Sequence, residues 1–401
     1  MSYALNSLAK GAAHMAAYPA KKTQPAVAAL LLMATNYHLY DYAREHYYGN
    51  CEKSKAILDW WIPASAFRLC DLPETGGIYP GGPIPPSRWR ELEEQALAFD
   101  KGFGLGLREY EHLADIIDTW ILEAYSLKGL CEAGPGDIVL DCGAYTGNTV
   151  LYFSEKAGPS GRVYAFEADP KHFDTLSQNL APYANVTPVN LAVNDVSGTV
   201  HFSASATTGG MVDAEGVALP AVSIDDFCRD HALPKVDFIK MDIEGGEGAA
   251  LAGAAETIAR HKPRMALSAY HKSTDPYAIP AQILALCPDY RFRLGHFSPG
   301  VFELVLYCIP GSEKITGYVE SDTDDGAYQP LFQFLENGYA RTVATLVQAG
   351  RLRTDLSSST QVAERSLALV ERLSAELRGK DKLIAALEKE KLLLEQKLSG
   401  K

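Results

Sequence analysis

The stretch that decides the fold is DIVLDCGAYTGNT, residues 137–149. An apolar run ends in Asp141, a turn carries glycine at 143 and 147, and an amphipathic segment follows. That is a strand, a tight turn and a helix in immediate succession, the opening unit of an open α/β sheet. Ligands of such sheets bind beyond the carboxyl ends of the strands. A dinucleotide fingerprint would need glycine at 143, 145 and 148, but Tyr145 and Asn148 stand at two of those places. No Lys-Ser or Lys-Thr pair follows to make a P-loop. A phosphate cradle is therefore disfavoured, and with it an NAD-dependent enzyme.

Outward from this point the same rhythm repeats. RVYAFE (162–167), VTPVNLAV (186–193), VDFIKMD (236–242) and RMALSAY (264–270) read as further strands. Helical stretches such as HFDTLSQNL (172–180) and GAALAGAAETIARH (248–261) lie between them. Strands alternating with helices predict a mostly parallel sheet. RFRLGHF (291–297) and VFELVLYCI (301–309) are separated only by Ser298, Pro299 and Gly300. So short a link makes a hairpin, so the sheet of seven strands is expected to end in an antiparallel strand.

Strand ends carry the candidate chemistry. Glu167 closes the second strand, where an acid accepts hydrogen bonds from both hydroxyls of a ribose. A ribose site without a pyrophosphate loop suggests a nucleoside free of phosphate, of which S-adenosylmethionine is the commonest cofactor. The third strand brings Asn190 and Ala192, where an adenine edge could be read, although Asn190 serves equally to cap the strand. The fourth runs into IKMDIEGGEGAA (239–250), which sets Asp242, Glu244 and Glu247 around a Gly-Gly pair.

Taken in order, VLDCGAYTGNT (139–149), VYAFEADP (163–170), VNLAVND followed by SG (189–198), FIKMDIEGGE (238–247), SAYHK (268–272) and the closing HFS and FELVLYCIP (296–310) resemble the FkbM-type methyltransferases. These are a class I, S-adenosylmethionine-dependent group, and the likeness covers about residues 110–310. The family usually has small or apolar residues where Cys142 and Tyr145 stand. The resemblance implies O-methylation, commonly of a sugar hydroxyl in a glycan or a glycosylated metabolite. By it, Asp141, Gly143 and Gly147 shape the methionine end of the pocket, Glu167 holds the ribose, and Asp242 closes the floor of the cleft. The expected cofactor set is Asp141, Gly143, Ala144, Tyr145, Gly147, Asn148 and Thr149 from the first turn, Glu167 and Ala168 from the second, Asn190 and Ala192 from the third, and Asp242.

Methyl transfer to an alcohol needs alignment and a group to take the hydroxyl proton. His271, at the head of a polar loop, Asp242, and His296 near the end of strand six are the expected catalytic residues. A divalent ion such as Mg2+ on Asp242 and Glu244 is a second way to acidify the hydroxyl. Asp242 bonding only to backbone amides, and His296 as a core histidine, are the plainer readings of the same residues. Lys240, alternating with Asp242 in its strand, either pairs with an acid or reaches the pocket edge. Glu247 opens the following helix, where the helix dipole favours an acid without any catalytic role.

Length and composition bound the rest. A chain of 401 residues with 47% hydrophobic and 22% charged content is an ordinary globular protein of two or more domains. Its net charge of −13 argues against a nucleic-acid coat. Seven scattered cysteines without a C-x-x-C pair suit neither a zinc framework nor a disulfide scaffold, and fit the reducing cytoplasm. VAALLLMA (27–34) is too short to span a bilayer and runs into an amphipathic helix without a cleavage site, so no signal peptide or transmembrane segment is expected.

The domain reading is a mainly helical region at 1–127, a methyltransferase domain at 128–310, a linker and helix at 311–359, and a coiled coil at 360–401. In the tail, Val370, Leu373, Leu377, Ile384, Leu387, Leu394 and Leu398 follow alternating steps of three and four, interrupted by Lys380 and Lys391. The flanking positions are mostly acidic, which favours antiparallel or heterotypic pairing, with homo- or hetero-oligomers expected. The competing functional class is a scaffold built on a methyltransferase fold that assembles partners through this coil.

Overall fold

The computed structural model describes residues 39–40, 42–68, 84, 86–103, 113–204, 210–212, 217–272 and 274–311. The expected coiled coil at 360–401 and the linker before it lie outside the described residues. The chain divides into two compact units, of which Ile84–Ser321 is one. In the other, α1 (Glu52–Arg68) buries Trp60 and Trp61, and Arg44 pairs with the buried Asp59 at 3.0 Å.

The site-bearing unit opens with α2 (Pro86–Phe103), then α3 (Leu113–Ile116), which widens into a π-turn over Ile117–Ile121. Leu92, Ala96, Ile116 and Ile117 form one small core, and Trp120 joins it to the packing around the sheet. This unit therefore takes in residues from Ile84 onward as well as the sheet.

The main sheet holds β1 (Ile138–Cys142), β2 (Arg162–Phe166), β3 (Val186–Val189), β8 (Phe238–Met241), β9 (Arg264–Ser268), β10 (Tyr290–His296) and β11 (Leu304–Pro310), in the order β10-β11-β9-β8-β1-β2-β3. Its strands are parallel except β11, which runs antiparallel to both neighbours. The hairpin expected at the end is present. Its second strand, the last in the sequence, inserts between β9 and β10 rather than at the edge. Val139, Leu140, Val163, Ala165, Phe238, Ile239, Met265 and Leu267 are fully buried, as strands covered on both faces require. The helices that cover the sheet include α4 (Asn148–Ala157), α5 (Pro170–Leu180), α7 (Glu247–Ala252), α8 (Ala255–His261) and α9 (Asp275–Leu286). Asp169 caps α5 by accepting from the amides of Lys171 and His172, with Pro170 in the first turn.

Two expectations are corrected. VTPVNLAV is not one strand: β3 stops at Val189, and β4 (Ala192–Val193) joins a second sheet with β5 (Gly198–Ala204), β6 (Gly210–Val212) and β7 (Val217–Val222) in the order β4-β7-β5-β6. Asn190 makes the break, because its side-chain amide ties to β2 instead of continuing the strand. Likewise 248–261 is two helices, α7 and α8. Gly253 lies against the carbonyl of Asn194, where a Cβ would collide, and the chain turns there. A further helix, α6 (Ile224–Asp230), is capped by Ser223. No helix among the described residues is long and apolar enough to cross a membrane.

Candidate active site

The strand order reverses between β1 and β8, so the loops leaving these neighbours diverge and open a crevice at their carboxyl ends. Asp141 and Lys240 face each other in register across this junction. Both are buried, with Lys240 Nζ 3.1 Å from Asp141 Oδ1. The lysine also donates to the Gly143 carbonyl at 2.7 Å, and Thr149 donates its hydroxyl to Asp141 Oδ2 at 2.6 Å. Burial pushes the Asp141 carboxyl up, while Lys240 and Thr149 pull it back. Burial also works against the lysine's charge, but Asp141 and Asp242 override it, and Lys240 stays an ammonium. Of its two expected roles, Lys240 takes the ion pair, and through it Asp141 fixes the turn.

That turn needs its backbone. Gly143 has φ of 84°, and a Cβ there would run into the carbonyl of Asp242. Tyr145 is left-handed at φ 47°, and its amide donates to Glu167 Oε2 at 2.9 Å. The amide of Asp169 donates to Oε1 at 2.8 Å. Burial raises the Glu167 carboxyl to about 7, against the pull of those two amides. Each of its oxygens keeps lone-pair capacity beyond the one amide it accepts. Asn190 donates from its side-chain amide to the carbonyls of Glu167, at 2.8 Å, and Ala168, at 3.3 Å.

The other expected cofactor residues also make contacts within the protein. Asn148 accepts from Trp120 Nε1 at 2.8 Å and donates to the Asp115 carbonyl and to Thr119 Oγ1 at 2.8 and 2.9 Å, locking α4 to the 113–121 segment. Ala144 is buried in the main core, Gly147 is the left-handed N-cap of α4, and Ala168 and Ala192 pack against Val200, Leu219 and Ala221.

The β8 and β9 ends gather a denser group. Glu247, the first residue of α7, reaches back to accept the Ile243 amide at 3.1 Å, and His271 Nδ1 lies 2.9 Å from the same oxygen. On the far edge of the imidazole, Nε2 stands 3.4 Å from Asp242 Oδ1 and 3.6 Å from Glu244 Oε2. Burial alone would lower the histidine, but Glu247, then Asp242, raise it to about 9. Burial raises Asp242, yet Lys240 and His271 hold it below the usual carboxylate range. Tyr125 and Tyr270 donate to Asp242 at 3.2 and 3.3 Å, and Tyr270 also reaches Glu303 at 3.4 Å. Burial, with Asp242 behind it, lifts Glu303 to about 8; burial and Glu303 lift Asp118, in the π-turn, well above its ordinary value. Ionised and protonated acids thus sit side by side. Asp242, Glu247 and His271 have donor atoms within 4.8 Å of one another, the spacing of a cation site.

His296, the third expected catalytic residue, is placed differently. It is buried at the end of β10 against the backbone of Gly300 and Phe302, and burial takes it down to about 4, so it is neutral. Glu247, Tyr125, Asp118, Tyr270 and Glu303 are site residues that the sequence reading did not select. Tyr270 and Glu303 lie inside the motifs SAYHK and FELVLYCIP. Tyr125 and Asp118 precede the first strand and carry no local signal.

Residues 141–294 match the family model described as the Methyltransferase FkbM domain. The chain is 30% identical over 151 residues to the hexuronic acid methyltransferase AglP of Haloferax volcanii, covering 36% of this chain. It is 24% identical over 148 residues to the 2-O-methyltransferase NoeI of Sinorhizobium fredii, covering 31% of this chain. The chain spans 60% of the length of each of these relatives. A crystal structure of an FkbM methyltransferase from Methylobacillus flagellatus is similar at 22% identity and a TM-score of 0.45, over 68% of this chain and 59% of that one. Residues 141–294 are thus similar to the FkbM methyltransferase domain, over less than half of this chain.

Proposed function

We propose that the protein is an S-adenosylmethionine-dependent O-methyltransferase that transfers a methyl group to a hydroxyl of a sugar, glycan or glycosylated metabolite. The observation that carries the reading is Glu167, a buried carboxylate at the end of β2 with free lone pairs, facing a glycine turn that forbids a phosphate loop. Those groups fit a ribose, and two relatives named as a 2-O-methyltransferase and a hexuronic acid methyltransferase support a sugar acceptor.

S-adenosylmethionine supplies an electrophilic methyl on a sulfonium. In this reading Glu167 accepts hydrogen bonds from the ribose hydroxyls, and the Gly143–Gly147 turn lets the backbone close on the methionine end. Asp242, ionised and oriented by Tyr125 and Tyr270, takes the hydroxyl proton as the acceptor oxygen is alkylated. His271, charged and clamped by Glu247, supports that carboxylate by position. His296, neutral and enclosed, has no part in the proton path. A Mg2+ ion on Asp242 and Glu244 would want an all-oxygen cage, whereas the group nearest both is an imidazole. Oligomers through 360–401 belong to the same proposal, as does a cytoplasmic location, which the six described cysteines, all free and buried, support.

Calorimetry with S-adenosylhomocysteine tests the reading. Micromolar binding is expected, lost in Glu167→Ala. Absence of binding, or binding indifferent to that change, overturns it. Comparing glycans and metabolites with and without the protein for a methyl-sized mass difference then identifies the acceptor.

A further inference from the structure

We propose that the β8–β9 rim binds one divalent transition-metal ion, with His271 Nε2, Asp242 and Glu244 as ligands and Glu247 as the residue that positions the imidazole. The site rests on the methyltransferase reading for its use, not for the binding itself: an ion that displaces the Nε2 proton of His271 and occupies Asp242 would acidify the acceptor hydroxyl in place of direct proton uptake by Asp242.

Four observations converge. First, His271 Nε2 is buried without a hydrogen-bond partner, and its side chain is only 7% exposed. It is aimed between Asp242 Oδ1 at 3.4 Å and Glu244 Oε2 at 3.6 Å. Those gaps exceed an ordinary N–H···O bond. The first lies within, and the second just beyond, the roughly 3–3.5 Å that separates neighbouring ligands when each stands about 2.1 Å from one ion.

Second, the opposite ring nitrogen is already fixed. Nδ1 lies 2.9 Å from Glu247, whose oxygen is held in turn by the Ile243 amide at 3.1 Å. A carboxylate on the far nitrogen is the usual device for setting the tautomer and angle of a metal-binding histidine. Third, three carboxylates, Asp242, Glu244 and Glu247, converge on one imidazole. A divalent ion suits such a gathering of oxygen ligands beside one ring nitrogen. Fourth, the rim is partly open: the side chains of Asp242 and Glu244 are 24% and 39% exposed, which leaves coordination positions for an oxygen from outside. One imidazole with carboxylates selects the borderline ions, Mn2+ or Zn2+, over Mg2+ and Ca2+.

The test uses the full chain, stripped with a chelator and titrated calorimetrically with MnCl2, ZnCl2, MgCl2 and CaCl2. One equivalent of Mn2+ or Zn2+ is expected, at least about tenfold tighter than Mg2+ or Ca2+. His271→Ala should weaken it by about 100-fold. Glu244→Gln, on a side chain 39% exposed, should weaken it about tenfold, with the metal-free melting temperature measured alongside to separate loss of a ligand from loss of fold. Glu247→Gln should cost about 10–100-fold and shift the visible absorption band of the Co2+ form, the mark of a repositioned ligand. No stoichiometric Mn2+ or Zn2+ binding overturns the proposal, as does binding by His271→Ala and Glu244→Gln equal to the wild type. S-adenosylhomocysteine binding with no ion bound leaves the methyltransferase reading standing alone. Ion binding without S-adenosylhomocysteine binding leaves the metal site alone.

Discussion

Two charged groups sit side by side at the carboxyl ends of β1 and β8, and they are built on opposite plans. In the Asp141–Lys240 pair there is one acid for one base, both buried, and further hydrogen bonds go to Thr149 and the Gly143 carbonyl. In the group around His271 three acids meet one imidazole, and the side chains of Asp242 and Glu244 are partly exposed. The first is enclosed and fixes a loop. The second presents carboxylates to the outside. Each holds a buried base, so burial of the base does not separate scaffold from site; the ratio of acids to bases and the opening of the rim do.

The sharpest way to break the comparison is Lys240→Met. If the first pair is structural, removing the lysine leaves Asp141 buried without its counter-charge, at a cost of about 3–5 kcal/mol in urea unfolding. The double change Asp141→Asn with Lys240→Met should recover a good part of that, because the two residues couple directly. A single-variant loss below about 1 kcal/mol would mean that the pair does not hold the turn.

Glu247→Ala is the next largest. Glu247 also works for the fold, through the Ile243 amide. Losing a buried acceptor shared by an amide and a charged imidazole should cost about 1.5–3 kcal/mol by the same measurement. A cost equal to that of Lys240→Met would erase the distinction drawn between the two groups.

How far the sequence carried depended on the same physics. Strands buried on both faces, such as β1, β8 and β9, read as apolar runs and stand out, whereas the half-buried edge strand β3 reads as longer than it is. The second sheet does not stand out: GTVHFSA mixes polar with apolar residues, and Pro220 sits inside VALPAV, where a strand pattern would not place it. In the site, residues at strand ends were legible because topology brings strand ends together. Glu167, Asp242 and His271 all emerge that way. Glu247 looked like a helix-dipole acid, and it does stand at the start of α7. Its second bond, to a histidine 24 positions on, is made only when β8 and β9 lie side by side. Tyr125 reaches Asp242 across 117 positions, a contact that no local pattern announces.

The smallest predicted effect concerns the cofactor side and depends on proton linkage. Glu167 is raised from 4.5 to about 7 by burial. Below the unfolded value both states are protonated, and its contribution to stability is at its greatest. Between 4.5 and about 7 the unfolded chain ionises first, so the empty protein loses that contribution as pH rises. Ribose hydroxyls donate to the ionised carboxylate, so binding pulls the value back down and releases a proton at pH between the lowered bound value and about 7. Affinity for S-adenosylhomocysteine should therefore rise with pH and level off above 7, weaker by about eightfold at pH 6 than at pH 7.5. Calorimetry in buffers of different ionisation enthalpy reads the released proton directly. Glu167→Gln should flatten the profile as well as lower it. A wild-type affinity independent of pH across this range would mean that the carboxylate does not meet the ribose, and the β2 end would then be scaffold like the pair beside it.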